Sequence, residues 1–230
     1  MYKDKRVSVV IPAAGMGKRM KSKKNKQYLL LQGKPVLAHT IDKFNKCKLI
    51  DEIIIVTREN EIKYCKENIV KKYNFNKVSK VIKGGKERFD SVYNGLKSVD
   101  KNTDILLIHD GARPFITGKN IEKCIVSVNE FKACILGVPV KDTIKEVNED
   151  KSIINTPDRS KLWAVQTPQC FEYDLILKAY NSDINKENIT DDSMLLERLG
   201  YEVKIVLGDY NNIKLTTPED MEFAKAILKK

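Results

Sequence analysis

Histidine is nearly missing from this sequence: His39 and His109 are the whole supply, which removes the usual His-rich metal sites. Cysteine is sparse as well. Cys47, Cys65, Cys124, Cys134 and Cys170 are odd in number, widely spaced and form no Cys-x-x-Cys pair, so neither a disulfide framework nor a structural zinc site is expected. No apolar run approaches the ~20 residues needed to span a bilayer; the cleanest are Ile53–Val56 and Ile105–Ile108. Met1–Arg6 is charged, and Val7–Ile11 is too short for a signal-peptide core. A cytoplasmic location without a membrane partner is the expectation.

What is present is a 230-residue chain with 42% hydrophobic and 32% charged residues, a composition that supports a single globular core over residues 1–230. Lys plus Arg is 42 against 31 Asp plus Glu, a net charge of +11. That excess suits an anionic partner: nucleic acid, an anionic membrane or phosphorylated small molecules. Lysine is common throughout the chain, so part of the charge is solvated surface, and its distribution has to decide.

Short β-branched runs bounded by turn residues predict strands at Val7–Pro12, Glu52–Thr57, Val78–Lys83, Ile105–His109, Ala133–Val140 and Glu202–Leu207. Their hydrophobicity is continuous rather than alternating, as in strands buried on both faces of a parallel sheet. Helical patterns fall between them: Pro35–Lys46, Asn60–Tyr73, Asp90–Ser98, Lys119–Glu130, Tyr173–Tyr180 and Asp191–Leu199. A last helix is marked by Thr217 as N-cap, Pro218 at the first position and Asp220 three residues past the cap. The alternation predicts an α/β fold with a doubly wound, mostly parallel sheet in one domain. Two long loops interrupt it, Gly15–Gly33 and the polar Lys141–Lys161, and loops of that length usually serve function or a partner.

The first strand runs into Ala13-Ala14-Gly15-Met16-Gly17-Lys18-Arg19-Met20. Ligands of open α/β sheets sit at the carboxyl ends of strands, and two glycines let a backbone approach phosphate closely. Lys18, Arg19, Lys21, Lys23, Lys24 and Lys26 put six cations into nine residues of that loop. A dinucleotide fingerprint would need glycine at Met20, and a Walker loop would need Gly-Lys-Ser/Thr. A basic run fused to a Gly-x-Gly turn therefore points to polyphosphate, against a bare solvated loop or a nucleic-acid patch. The fourth predicted strand ends in His109-Asp110-Gly111-Ala112-Arg113-Pro114. There Asp110 is placed to hold Mg²⁺ and Arg113 to fork onto phosphate, unless the two simply pair within a turn. His109 reads as structural. After the third strand, Gly84-Gly85-Lys86-Glu87-Arg88 and Ser91 offer free amides for a base edge, or an ordinary turn before a helix.

Taken together, these segments resemble the 2-C-methyl-D-erythritol 4-phosphate cytidylyltransferase family. The resemblance rests on the loop just quoted, Lys26-Gln27-Tyr28, Gly84-Gly85-x-x-Arg88 with Ser91, His109–Pro114, Asp142-Thr143, Arg159, Thr167-Pro168-Gln169, and Asn212-Ile213-Lys214 with Thr217–Asp220, in family order over nearly the whole chain. It implies a Rossmann-like nucleotidyltransferase of the stand-alone form. Arg19 and Lys26 would stabilise charge on the CTP phosphates, and Asp110 would carry Mg²⁺ beside the reacting groups. Ala13, Ala14, Gly15, Gly17, Gly85, Arg88, Ser91 and Gly111 would form the nucleotide site. Arg159 and Lys214 would position the sugar-alcohol phosphate, helped by Asp110, Arg113, Thr143 and Thr167. A homodimer is implied too, its arm at about 141–161 carrying Thr143 and Arg159 to the partner's site. Two positions depart from the family pattern: Asn25 stands where proline is common, which predicts a looser empty loop, and Asn211 stands where some members carry an acid, which removes a second carboxylate ligand.

The chemistry so implied needs no catalytic triad. A phosphate monoester has its second pKa near ~6 and is already ionised at pH 7, so it can attack the α-phosphorus of CTP directly. Positioning and charge neutralisation do the rest. Ribitol-5-phosphate cytidylyltransferase shares the chemistry but tends to read His-Asp-Ser-Val-Arg and Asn-Leu-Lys. A non-catalytic nucleic-acid-binding module is disfavoured by 7% aromatics with none in the basic run, and a dinucleotide-dependent oxidoreductase by Met20.

Overall fold

The computed structural model describes residues 1–15 and 25–229. β1 (Val7–Pro12) is buried at every position but Pro12. A tight hairpin of β2 (Leu30–Leu31) and β3 (Lys34–Pro35) leads into α1 (Val36–Lys46). β4 (Glu52–Thr57) is buried throughout. α2 (Ile62–Cys65) runs on as a π-helix over Lys66–Lys71, and β5 (Val78–Lys83), α3 (Arg88–Leu96) and β6 (Ile105–Ile108) follow. Then come α4 (Gly118–Phe131), β7 (Ala133–Pro139), β8 (Glu146–Val147), β9 (Ile153–Asn155), β10 (Trp163–Glu172), α5 (Tyr173–Asn181), α6 (Ser193–Arg198), β11 (Lys204–Leu207) and α7 (Pro218–Leu228).

Seven strands form one sheet in the order β11-β7-β10-β6-β1-β4-β5. Every neighbouring pair is parallel except those of β10, which runs antiparallel to both β6 and β7. Side chains of β1 alternate between two cores: Val7, Val9 and Ile11 pack with α1 and α4 on one face, and Val10 packs with α3, α5 and α6 on the other. Burial on both faces explains the unbroken apolar runs; each such side chain contributes roughly 1.5–3 kcal/mol. α3 lies close on β1 because Gly95 faces Val10, where an added Cβ would come within 2.4 Å of Val10 Cγ1. α7 starts as its sequence predicts, with a capping box between Thr217 and Asp220 and Pro218 in the first turn. No helix among the described residues is long and apolar enough to cross a membrane.

The topology places a crevice. The chain steps outward from β1 to β4 and β5, then returns to β6 on the other side of β1. Such a reversal leaves a gap between neighbouring crossovers at the carboxyl ends of the strands. β10 was not expected as a strand. Its middle, Gln166–Gln169, is polar and contains a proline, and the ladder to β7 shifts register between Val165 and Gln169, the kind of irregularity at which a sheet accepts proline. The Thr167–Pro168 peptide is cis. The Lys141–Lys161 stretch carries the small exposed β8–β9 hairpin, with apolar Ile144, Val147, Ile153 and Ile154 facing outward. The Gly15–Gly33 loop contains a 3-10 turn, Lys26–Tyr28. Cys124, Cys134 and Cys170 meet in the core, their sulfurs within 4.8 Å of one another and all buried.

Candidate functional site

A cleft opens at the carboxyl ends of β1, β5 and β6. Ala14, Gly15, Lys26, Gly85, Arg88, Ser91, Asp110, Gly111 and Lys214 all line it. The sequence singled out each of these. Gly17 and Arg19, with the rest of the basic run to Lys24, lie outside the described residues.

Lys26 is presented by an anchored turn. Tyr28 is buried and its hydroxyl meets Thr57 Oγ1 at 3.0 Å. Asn25 donates to both carboxylate oxygens of Glu61 at 3.2–3.3 Å, and Thr57 donates to the same carboxylate. Where proline would restrain the backbone, Asn25 thus supplies a side-chain tether; the loop expected to be looser lies, from 16 to 24, outside the described residues.

Asp110 sits just past β6 and is the electrostatic centre. Its Oδ2 lies 2.9 Å from Lys214 Nζ and 3.4 Å from Arg113 Nε, while Oδ1 lies 3.6 Å from Arg88 Nε. Burial alone would raise its pKa, but Lys214, then Arg88 and Arg113, hold the carboxyl well below the usual range. Arg113 did not turn out as a free fork. Its Nη1 donates to the Asn212 carbonyl at 2.8 Å and its Nη2 to the Val165 carbonyl at 3.5 Å, so it pairs with Asp110 and ties β10 to the 209–214 loop. Arg88 is committed in the same way. Both terminal nitrogens donate to Asp192, at 2.9 and 2.6 Å, leaving only its Nε edge toward the cleft.

The glycine turn differs from the expected set of free amides. Gly84 N–H donates to the Thr57 carbonyl at 2.7 Å and Gly85 N–H to Ser91 Oγ at 3.1 Å. Ser91 in turn donates to the Glu87 carbonyl. Glycine is needed at 84 for space: an added Cβ would lie 2.7 Å from Ser91 Oγ and 2.8 Å from Ala14 Cβ. Ala13 and Gly111 also spend their amides on the sheet ends, on the carbonyls of Val56 and Pro12.

Thr167 and His109 form a directional chain beneath Asp110. The Arg113 carbonyl can only accept, so His109 Nε2 carries the proton and donates to it (3.0 Å). Neutral Nδ1 then accepts from the Thr167 hydroxyl (3.1 Å), whose oxygen accepts from Asp110 N–H (3.1 Å). Thr167, expected at the substrate, is buried, and its hydroxyl oxygen holds the Asp110 amide. Burial, outweighing its hydrogen bonds, pushes the His109 pKa down to about 4. The unfolded chain, with an ordinary histidine near ~6.5, then binds the proton first. Stability from this chain is full above that value and lost as pH falls toward 4. About 3 kcal/mol is expected to disappear over that window. Denaturant titrations at pH 7 and pH 4.5 check this: the drop should shrink in His109→Gln, and an equal drop in both proteins would exclude His109 as its source.

Thr143 and Arg159 are exposed on the arm, Arg159 donating to the Lys141 carbonyl at 2.7 Å. Neither lines the cleft of its own chain. Sequence reasoning missed Asp192, and it left Gln169 and Asn212 ambiguous. Asn212 donates to the Thr167 carbonyl, and Gln169 Oε1 accepts from the amides of Asp192 and Ser193. The Asp191-Asp192-Ser193 run reads only as a helix start, and its partner Arg88 is too distant in sequence to show a pattern.

The site could hold a cation through Asp110. Among the described residues no donor lies within hydrogen-bond distance of Oδ1, where Arg88 Nε stands at 3.6 Å, and a hard cation is commonly held by one carboxylate plus phosphate and water oxygens. Among the described residues Asp110 belongs to no group of three or more clustered His, Cys, Asp or Glu ligand atoms.

Comparison with known proteins gives one consistent result. Residues 7–230 match the family model described as 2-C-methyl-D-erythritol 4-phosphate cytidylyltransferase. The chain is 54% identical to the protein of that name from Alkaliphilus oremlandii, covering 97% of this chain and 95% of that protein. It is 54% identical to the one from Clostridium acetobutylicum, covering 96% of each. Among solved structures it resembles 4-diphosphocytidyl-2C-methyl-D-erythritol synthase from Anaerococcus prevotii, with a TM-score of 0.85 at 36% identity over 98% of this chain and 97% of that one.

Proposed function

The chain belongs to the 2-C-methyl-D-erythritol 4-phosphate cytidylyltransferase family, and from that premise we propose how its residues divide the work. The reaction transfers CMP from CTP to 2-C-methyl-D-erythritol 4-phosphate and releases pyrophosphate, in isoprenoid biosynthesis by the non-mevalonate route. One observation carries the proposal: Lys26, Arg88, Asp110 and Lys214 converge on one cleft at the reversal of strand order.

Lys26, with Arg19, neutralises charge as it moves onto the departing pyrophosphate. Losing one such preorganised group costs on the order of 3–4 kcal/mol in the barrier. Lys214 takes the methylerythritol phosphate; its ammonium has three donors, so it can keep Asp110 while binding the substrate. Asp110 would hold a Mg²⁺, which when bound would supply positive charge to offset the negative charge of the triphosphate. With the amides of Gly84 and Gly85 spent, the carbonyls of that turn offer acceptors that match the exocyclic amine of cytosine. Ser91 shapes that turn. Thr143 and Arg159 serve the partner's site in a homodimer, for which the exposed apolar face of the arm supplies buried area; a single-chain mass by light scattering would remove that role. A cytoplasmic location is part of the proposal, and fractionation that recovers the protein elsewhere would remove it.

Pyrophosphate release with each of the four nucleoside triphosphates tests the specificity. Turnover is expected with CTP and methylerythritol phosphate alone. Comparable turnover with ribitol 5-phosphate or UTP would overturn it.

A further inference from the structure

Asp192 is among the most buried charged residues of the fold, 1% exposed, yet it has no place in the chemistry just described. It accepts both terminal nitrogens of Arg88 and the Tyr180 hydroxyl, the latter at 2.7 Å. Its own N–H is held by Gln169 Oε1 from β10, so the carboxylate is fixed to the sheet as well as to α5. The Arg88 fork is thereby turned away from the cleft, and its Nε edge stops 3.6 Å from Asp110 Oδ1. That is longer than a hydrogen bond. Were the fork released, a guanidinium already this close would close on Asp110 Oδ1 in a charge-assisted hydrogen bond. Oδ2 is already taken by Lys214 and Arg113, so Oδ1 is the oxygen at stake.

We propose that Asp192 is a positioning residue which withholds the Arg88 fork from Asp110 and so keeps Asp110 Oδ1 open to the divalent cation that accompanies the nucleotide. The same ion pair lowers the positive charge that a cation would meet there. Without Asp192 the carboxylate faces three full cations, Lys214, Arg113 and Arg88, and a divalent ion has to compete with all of them. The inference rests on Asp110 as the cation's carboxylate.

Four proteins test it: wild type, Asp192→Asn, the double variant Arg88→Gln with Asp192→Asn, and Asp110→Asn. Two readouts are taken, the Mg²⁺ concentration for half-maximal turnover and the affinity for Mn²⁺ in the presence of CTP by electron paramagnetic resonance. Asp192→Asn should weaken both by about 10-fold or more, the usual cost of losing a group that orients a metal ligand, while turnover at saturating Mg²⁺ changes far less. The double variant should return both toward wild type, whatever its turnover, because no guanidinium remains to close on Asp110. It buries no unpaired charge, so it stays informative where the single variant fails to fold. Unchanged metal dependence in Asp192→Asn, or a double variant as weak as the single, overturns the proposal. If Asp110→Asn leaves Mn²⁺ affinity intact, the metal assignment falls and this inference with it; if only Asp110→Asn weakens it, the inference alone falls.

Discussion

Lys26→Ala is expected to lower kcat by at least about 100-fold while the protein melts within a few degrees of wild type. The size follows from where the charge is needed. The attacking phosphate is ionised already, so little of the barrier is proton transfer, and most of it is the charge developing on the bridging oxygen of the leaving pyrophosphate. A cation on a rigid turn meets that charge without reorganising. The turn that carries Lys26 is anchored by Tyr28, Asn25 and the Glu61 carboxylate, none of which the substitution touches. Arg19→Ala should behave alike, on the evidence of its place in the basic loop. KM for methylerythritol phosphate should move little, since the proposal gives that substrate's phosphate to Lys214 and not to Lys26. Rapid-quench single turnovers separate chemistry from product release; an unchanged chemical step in Lys26→Ala would remove Lys26 from the transition state.

Much of this was readable from the chain, and what escaped has physical causes. β1, β4 and β6 announce themselves because both faces are buried, so their residues are mostly apolar, with Ser8, Glu52 and Thr57 as buried polar exceptions. Asp110 was found by its place at a strand's carboxyl end beside the basic loop, whereas Lys214, a lone lysine before a helix, was reached only through the family resemblance. β10 escaped because its polar centre serves other elements: Gln166, Thr167 and Gln169 are spent on Asp209, Asp110 and the start of α6, so the strand has no period to detect. The commitments of Arg88 and Arg113 were equally hidden. A sequence shows a guanidinium, but only the fold shows that Asp192, 104 residues away, has already claimed it. Of the two readings open at Gly84 and Gly85, free amides or an ordinary turn before a helix, the amides are bonded to Thr57 and Ser91, partners that come from neighbouring elements.

Asp110→Asn should cut turnover by roughly 100- to 1,000-fold, yet bind metal-free CTP at least as tightly as wild type. The two effects have opposite signs because Asp110 does two things. It offers oxygen to a divalent cation, which the amide cannot do as an anion, and it neutralises Lys214, Arg113 and Arg88 in the empty site. Removing its charge leaves Asp192 as the recorded carboxylate partner of that group, through Arg88. The folded protein then loses a buried ion pair, at a cost of about 3–5 kcal/mol, and the triphosphate becomes the anion those cations lack. Ligand binding to the folded state alone restores stability by mass action, so CTP should raise the melting temperature of Asp110→Asn by more than it raises that of wild type. Calorimetric titration with CTP in the presence of a chelator gives the affinity directly. A variant that binds CTP much more weakly without metal would mean that Asp110 contacts the nucleotide or orders the cleft itself, and that the three cations are not held in check by it.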